Sequence, residues 1–207
     1  MTASKKILLH LGKKKVKFEV VPHKTVFTAY DLAQTLGEKL DKIAKTLLVH
    51  VQLPEMKKQG KQTYLVVVPA TYYVDLQKVR KSLKATKAEL APEKVMAKFG
   101  LKPGALSPFG SLRGLGVVVD KALLRTKDVI VGAESFTEHL RMKMKDLVAI
   151  ETPVIGVLGK KHKIKIQKKP VKKAKGRGSI RIKTRPGVPA KAGIHSKSKK
   201  MKKSNKK

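Results

Sequence analysis

Few residues in this chain are placed to do chemistry, and Lys45 is foremost among them. It lies in Asp41-Lys-Ile-Ala-Lys-Thr-Leu-Leu-Val49, where the end of a helix gives way to the apolar run Leu47, Leu48, Val49. A lysine at that junction projects from the end of a buried strand, where solvent meets a pocket. Partial desolvation leaves its ammonium a strong, poorly screened charge. The competing reading is a surface lysine closing a helix C-terminus, where a cation suits the dipole, and spacing alone favours it. Other chemistries find little support. The six histidines, at 10, 23, 50, 139, 162 and 195, show no HxxxH spacing. HExxH, P-loop, GxGxxG and GxSxG patterns are all absent, which disfavours a zinc hydrolase, a kinase and a serine hydrolase. With no cysteine, disulfides and thiolate metal sites are excluded. What survives is a lone lysine, a glycine–proline loop over Leu101–Gly110 and a basic surface.

The elements that must position these residues read as α+β. Val16–Val21 alternates as a strand ended by Pro22 and His23. Thr28-Ala-Tyr-Asp31 is a capping box, a hydroxyl followed three residues later by a carboxylate. The helix it opens carries Leu32, Ala33 and Leu36 on one face and stops at Gly37. A short second helix over 38–44 leads into Lys45. Leu47–Val51 and the β-branched Thr63–Val68 are strands able to form a hairpin. Val74–Leu83 is an amphipathic helix with a basic outer face, and Pro92–Phe99 a shorter one that Gly100 ends. Val117–Asp120, Val129–Gly132 and Glu138–Met144 are strands, and Lys145–Ile150 closes the body as a helix or turn.

Charge is the strongest global signal. The chain carries 49 Lys and Arg against 14 acids, a formal +35 over 207 residues. From Gly156 onward there are 21 basic residues and no acid. Such a surplus points to a polyanion, namely RNA, DNA or an anionic surface. The composition divides the chain into a body, 1–155, and a lysine-rich, largely disordered RNA-binding tail, 156–207. Within the tail, 163–166 and 179–183 alternate and could pair as a hairpin. Aromatics make up only 4% of residues, without an RNP-like pattern, so a base-stacking sheet is not expected. Apolar runs fall far short of the roughly 20 residues of a membrane span, and Ile7–Leu11 is too brief for a signal peptide. The expected setting is cytoplasmic.

Taken together, Val26-Phe-Thr28, Ala44-Lys-Thr-Leu-Leu-Val49, Tyr64-Leu-Val-Val-Val-Pro69, Val74-Asp-Leu76, Gly104-Ala-Leu-Ser-Pro-Phe-Gly110 and Val131-Gly-Ala133 resemble the YbaK/ProX family of aminoacyl-tRNA deacylases. The same domain is found inserted in bacterial prolyl-tRNA synthetases. The resemblance runs in order over about residues 16–150. It implies a mixed, partly barrel-like β-sheet flanked by helices, with the basic tail as an extension. It also implies hydrolysis of mischarged tRNA, such as tRNA-Pro carrying alanine or a similarly small residue, without metal or cofactor.

On the residues, the resemblance makes Lys45 the essential lysine that holds the aminoacyl ester at the tRNA 3′ end. Gly104 to Pro108 is the GxxxP loop lining the pocket. Glycine lets its N–H groups approach a carbonyl or phosphate and proline fixes their direction. Phe27 and Thr46 would form pocket wall, although Phe27 fits core packing equally. Ser107, Phe109, Gly110, Gly132 and His139 complete the expected substrate-binding set. Where many members have Ser or Asn before an Ala-Gly pair, this chain has Gly132-Ala-Glu134. Where some have Ser-His, it has Ser135-Phe136. Lys160, Lys161, Lys172, Lys173, Arg177 and Arg181 are the expected tRNA contacts. Prolyl-tRNA synthetase or a multi-synthetase complex is the implied protein partner. The alternative to an enzyme is a non-catalytic tRNA-binding or assembly factor of a synthetase complex.

Overall fold

The computed structural model describes residues 2–55 and 61–162. The central layer is a five-stranded sheet in the order β5 (Lys87–Leu90), β2 (Ala44–Gln52), β3 (Gln62–Pro69), β6 (Gly116–Asp120), β9 (Val154–Gly156). The β2–β3 pair is the expected antiparallel hairpin, with Lys45 opposite Val68. β3, β6 and β9 run parallel. A three-stranded antiparallel sheet, β1 (Phe18–Pro22), β8 (Glu138–Lys143), β7 (Asp128–Gly132), joins it through a bridge between Ile43 and Ile130.

The valine runs follow from burial on both faces. Side chains alternate across a strand. Leu48, Leu65, Val67, Val117 and Val119 therefore face one core, which they share with Val129, Val131, Leu140 and Met142 of the second sheet. Val49, Val51, Val66, Val68 and Val118 face a second core, closed by Val79 of α3 (Leu76–Ser82) and by Leu158. The two sheets thus enclose one core between them, consistent with the mixed, partly barrel-like expectation.

Local signals behave as read. Thr28 Oγ1 accepts from the Asp31 N–H and caps α2 (Ala29–Leu36), and Gly37 closes it at φ 65°. The helix expected over Val74–Leu83 starts later, at Leu76, because Val74 ends the strand Tyr72–Val74 and Asp75 caps α3 by accepting from the Gln77 and Lys78 N–H groups. α4 spans Glu93–Lys98 and α5 Met144–Glu151.

Other features differ from expectation, beginning with β5, a strand the sequence did not announce. The lysine-rich lead folds as α1 (Lys5–Lys13), whose Ile7 and Leu11, one turn apart, are fully buried in the main core. The helix expected over 38–44 is only a 3-10 turn, Leu40–Lys42, because β2 already starts at Ala44. The folded body also continues past residue 155. β9 completes the central sheet, and β10 (Gly159–Lys161) pairs antiparallel with β4 (Tyr72–Val74). Asp120, 2% exposed, holds this segment by accepting from the Leu158 and Gly159 N–H groups at 2.7 and 3.1 Å. The hairpin proposed between 163–166 and 179–183 lies outside the described residues.

Candidate active site

Where β2 begins, the two sheets part and leave a cavity of about 440 Å³, within the range of small-molecule sites. Five segments far apart in sequence line it, one of them α4 through Met96. β2 supplies Ala44, Lys45, Thr46 and Leu47. The entry to α2 supplies Val26, Phe27 and Thr28. The glycine–proline loop supplies Pro103, Gly104 and Leu106. The second sheet supplies Gly132 and His139.

Lys45 and Thr46 take opposite faces of β2. The Lys45 ammonium is half-buried at the rim and donates to the Tyr72 carbonyl at 2.8 Å. Burial lowers its pKa from the ordinary lysine value, because losing hydration penalises the charged form. A single carbonyl satisfies one of its three N–H donors. Thr46 is 8% exposed, and its hydroxyl has no hydrogen-bond partner among the described residues. A buried hydroxyl without a partner costs on the order of 1–3 kcal/mol, a deficit that a ligand in the cavity can repair.

Gly132 and Gly104 shape the wall. A Cβ at Gly132 would overlap the Leu106 carbonyl oxygen, so only glycine lets the loop close on β7. Gly104 has φ 80° and abuts the Phe136 ring. Phe27 is not core: it is 70% exposed and tilts against Phe136 with 5.3 Å between ring centroids, at the cavity mouth.

His139 is held by His23, with 2.8 Å between its Nδ1 and His23 Nε2. His23 Nδ1 lies 2.8 Å from the Lys24 carbonyl, which can only accept, so His23 carries its proton there. The other ring nitrogen, His23 Nε2, then accepts from His139 Nδ1–H, and His139 Nε2 is left as a lone-pair acceptor. Burial first, and then repulsion from the His23 ring when it too carries a proton, lower the His139 pKa to about 4. At neutral pH it is an uncharged acceptor.

The remaining expected residues fall elsewhere. Ser107 is buried and donates to Glu134, which also pairs with Arg113 at 2.7 Å, so it braces the loop from behind. Pro108, Phe109 and Gly110 are buried; Phe109 is packed in the main core and Gly110 sits tightly against Leu115 and Val117. The loop therefore meets the cavity through its first half only. Lys160 and Lys161 are exposed on β10, near Asp75 and Asp41. Lys172, Lys173, Arg177 and Arg181 lie outside the described residues. The sequence reading treated His23 only as the end of a strand. Nothing local connects it to a residue 116 positions away; only the pairing of β1 with β8 does.

The sequence profile of the aminoacyl-tRNA editing domain matches residues 23–150, the stretch that carries every wall of this cavity. The chain belongs to the aminoacyl-tRNA editing domain family. Membership makes it an aminoacyl-tRNA deacylase, a hydrolase of the ester that joins an amino acid to tRNA. A curated relative of this editing domain, the prolyl-tRNA editing protein ProX of Acetoanaerobium sticklandii, is 28% identical over 155 residues, covering 72% of this chain and 91% of the relative. Two solved structures share the fold. A hypothetical protein aligns with a TM-score of 0.67 at 20% identity, over 75% of this chain and all of its own. A candidate trans-editing enzyme for prolyl tRNA synthetase aligns at 0.62 and 23% identity, over 75% and 96%. Among the described residues, no helix is long and apolar enough to cross a membrane.

Proposed function

We propose that this chain edits in trans, hydrolysing the ester of mischarged tRNA, with alanine or a similarly small residue on tRNA-Pro as its substrate. The observation that carries this is the shared cavity: Lys45, Thr46, Gly104, Gly132 and His139 meet there although the sequence scatters them. ProX and the trans-editing candidate, named for prolyl-tRNA and its synthetase, support the choice of tRNA.

In this reading the Lys45 ammonium uses its spare donors on the oxygens of the terminal nucleotide, fixing the aminoacyl-adenosine end. The Thr46 hydroxyl finds its missing partner on the substrate. Backbone at Pro103–Gly104 faces the ester carbonyl and stabilises the oxyanion. His139 Nε2 accepts from the α-ammonium. A base with a pKa near 4 is too weak to ionise water efficiently, so the ribose 2′-OH of the substrate assists. Water oxygen bonds to the carbonyl carbon, the ester C–O bond breaks, and the ribose oxygen takes up a proton as the amino acid leaves. Residues 163–207, with 19 basic residues and no acid, supply tRNA affinity through counterion release. Selectivity from a small pocket is limited, since one methylene is worth about 1–3 kcal/mol. Docking on prolyl-tRNA synthetase or a multi-synthetase complex would add to it.

The test is a panel of charged tRNAs incubated with the full chain. Release is expected fastest from tRNA-Pro bearing alanine or a comparably small residue. Spontaneous rates across the whole panel would leave a tRNA-binding factor that keeps the fold without the reaction.

A further inference from the structure

The strand that holds the Lys45 ammonium also carries an unexplained aromatic. Tyr72 gives its carbonyl to Lys45, and the next residue, Tyr73, turns its ring outward, 60% exposed. Lys45 Nζ lies 5.9 Å from the centre of that ring. His162 packs against it with centroids 4.3 Å apart and planes at 45°, held by its own N–H on the Thr71 carbonyl. Lys160 is Tyr73's cross-strand partner on β10. Tyr73, Asp75, Gln77 and Lys160 border a surface groove of about 400 Å³ beside it. β10 lies beyond residues 23–150, the stretch that matches the editing-domain profile.

Three physical points select a ligand. An exposed tyrosine flanked by an imidazole offers a π-face, on which a nucleobase stacks regardless of its identity. Lys45 near the ring and Lys160, its cross-strand partner, favour an anion. Asp75, 3.6 Å from Lys160, opposes it only weakly, because exposed ion pairs give way readily. Position decides the rest: Phe27 also exposes a ring at the cavity mouth, but the Tyr73 ring is the one that lies 5.9 Å from the Lys45 ammonium with Lys160 as its cross-strand partner, so a polynucleotide whose terminal adenosine sits at Lys45 leaves across β4.

We propose that Tyr73, His162 and Lys160 form a nucleotide platform that stacks the base preceding the terminal adenosine and holds its phosphate. The proposal rests on the deacylase reading for the position of that adenosine. The ligand class is a short single-stranded 3′ end, recognised by stacking and charge without base-specific hydrogen bonds.

The probe is the trinucleotide cytidine–cytidine–adenosine with pyrrolocytidine as its middle base, titrated into the full chain at 150 mM salt. Stacking quenches this fluorophore, whereas charge-only binding to lysines leaves its emission high. Wild type and Tyr73→Phe should quench alike. Tyr73→Ala should lose the quench and bind about tenfold more weakly, within the range of one base–aromatic stack. Lys160→Ala should keep the quench with a severalfold higher Kd. No quench with wild type, or equal quench with Tyr73→Ala, overturns the platform. Hydrolysis of aminoacyl-tRNA, measured in parallel, separates the two ideas. Turnover without a Tyr73-dependent quench removes the platform alone, and a Tyr73-dependent quench without turnover removes the deacylase reading alone.

Discussion

His139 gives the editing site a measurable signature in the stability of the fold. In the folded protein its imidazole is protonated only below about pH 4, against an ordinary 6.5, because burial, and then repulsion from His23 when that ring carries a proton, disfavour the cation. As pH falls through 6.5 the unfolded chain takes up this proton and the folded chain does not. Stability from this group is therefore complete above 6.5 and lost progressively down to about 4. At about 1.4 kcal/mol per unit, the gap amounts to at most about 3 kcal/mol. Water in the open cavity screens the charge and brings this to about 2 kcal/mol. For a body of this size that lowers Tm by about 4–8 °C. The assay is calorimetry of wild type and His139→Asn between pH 7.5 and 4.5. Asparagine still donates to His23 Nε2 but does not titrate. His50, whose pKa burial also lowers, and the depressed carboxylates Glu38, Asp75 and Glu89 are common to both proteins and cancel in the difference. The variant should show the shallower acid decline. Parallel curves would refute the claim that His139 is held neutral in a desolvated wall.

Three further outcomes follow from the geometry. Gly132→Ala drives a methyl into the Leu106 carbonyl, and relieving it should cost about 1–3 kcal/mol and abolish deacylation by displacing the loop; a variant with wild-type kcat/KM would show that the loop does not form the wall. Asp120→Ala strips acceptors from the Leu158, Gly159 and Ala122 N–H groups and should lower urea stability by about 3 kcal/mol, with faster amide exchange in β10; unchanged exchange there would deny the anchor. Ending the chain after His162 removes 19 basic residues and should weaken tRNA binding and flatten its salt dependence; an unchanged slope would show that these residues do not hold the tRNA.

Legibility in the sequence tracked how local each determinant is. The cap at Thr28, the stop at Gly37 and the β2–β3 hairpin were readable because each depends on a few neighbouring residues. Lys45 was found by its place before an apolar run, and the family resemblance, rather than spacing, chose between its two readings. α1 was hidden because its lysines dominate the composition while only Ile7 and Leu11 do the packing. β10 was assigned to the tail for the same reason: Lys160 and Lys161 look like tail, but Asp120 and Leu158 bind them into the body. Of the glycine–proline loop, Gly104 lines the cavity whereas Phe109 and Gly110 are buried inside, a split that tertiary packing decides and a motif does not show. The His23–His139 pair needed the register of β1 on β8.

The account turns on the ammonium of Lys45 acting on an aminoacyl ester. The most direct measurement is single-turnover release of alanine from alanyl-tRNA-Pro by wild type, Lys45→Ala and Lys45→Arg, each first shown to fold by its melting curve. The account predicts release by wild type, a background rate for Lys45→Ala, and partial activity for Lys45→Arg, which keeps the charge but not its shape. Lys45→Ala releasing alanine as fast as wild type would contradict it.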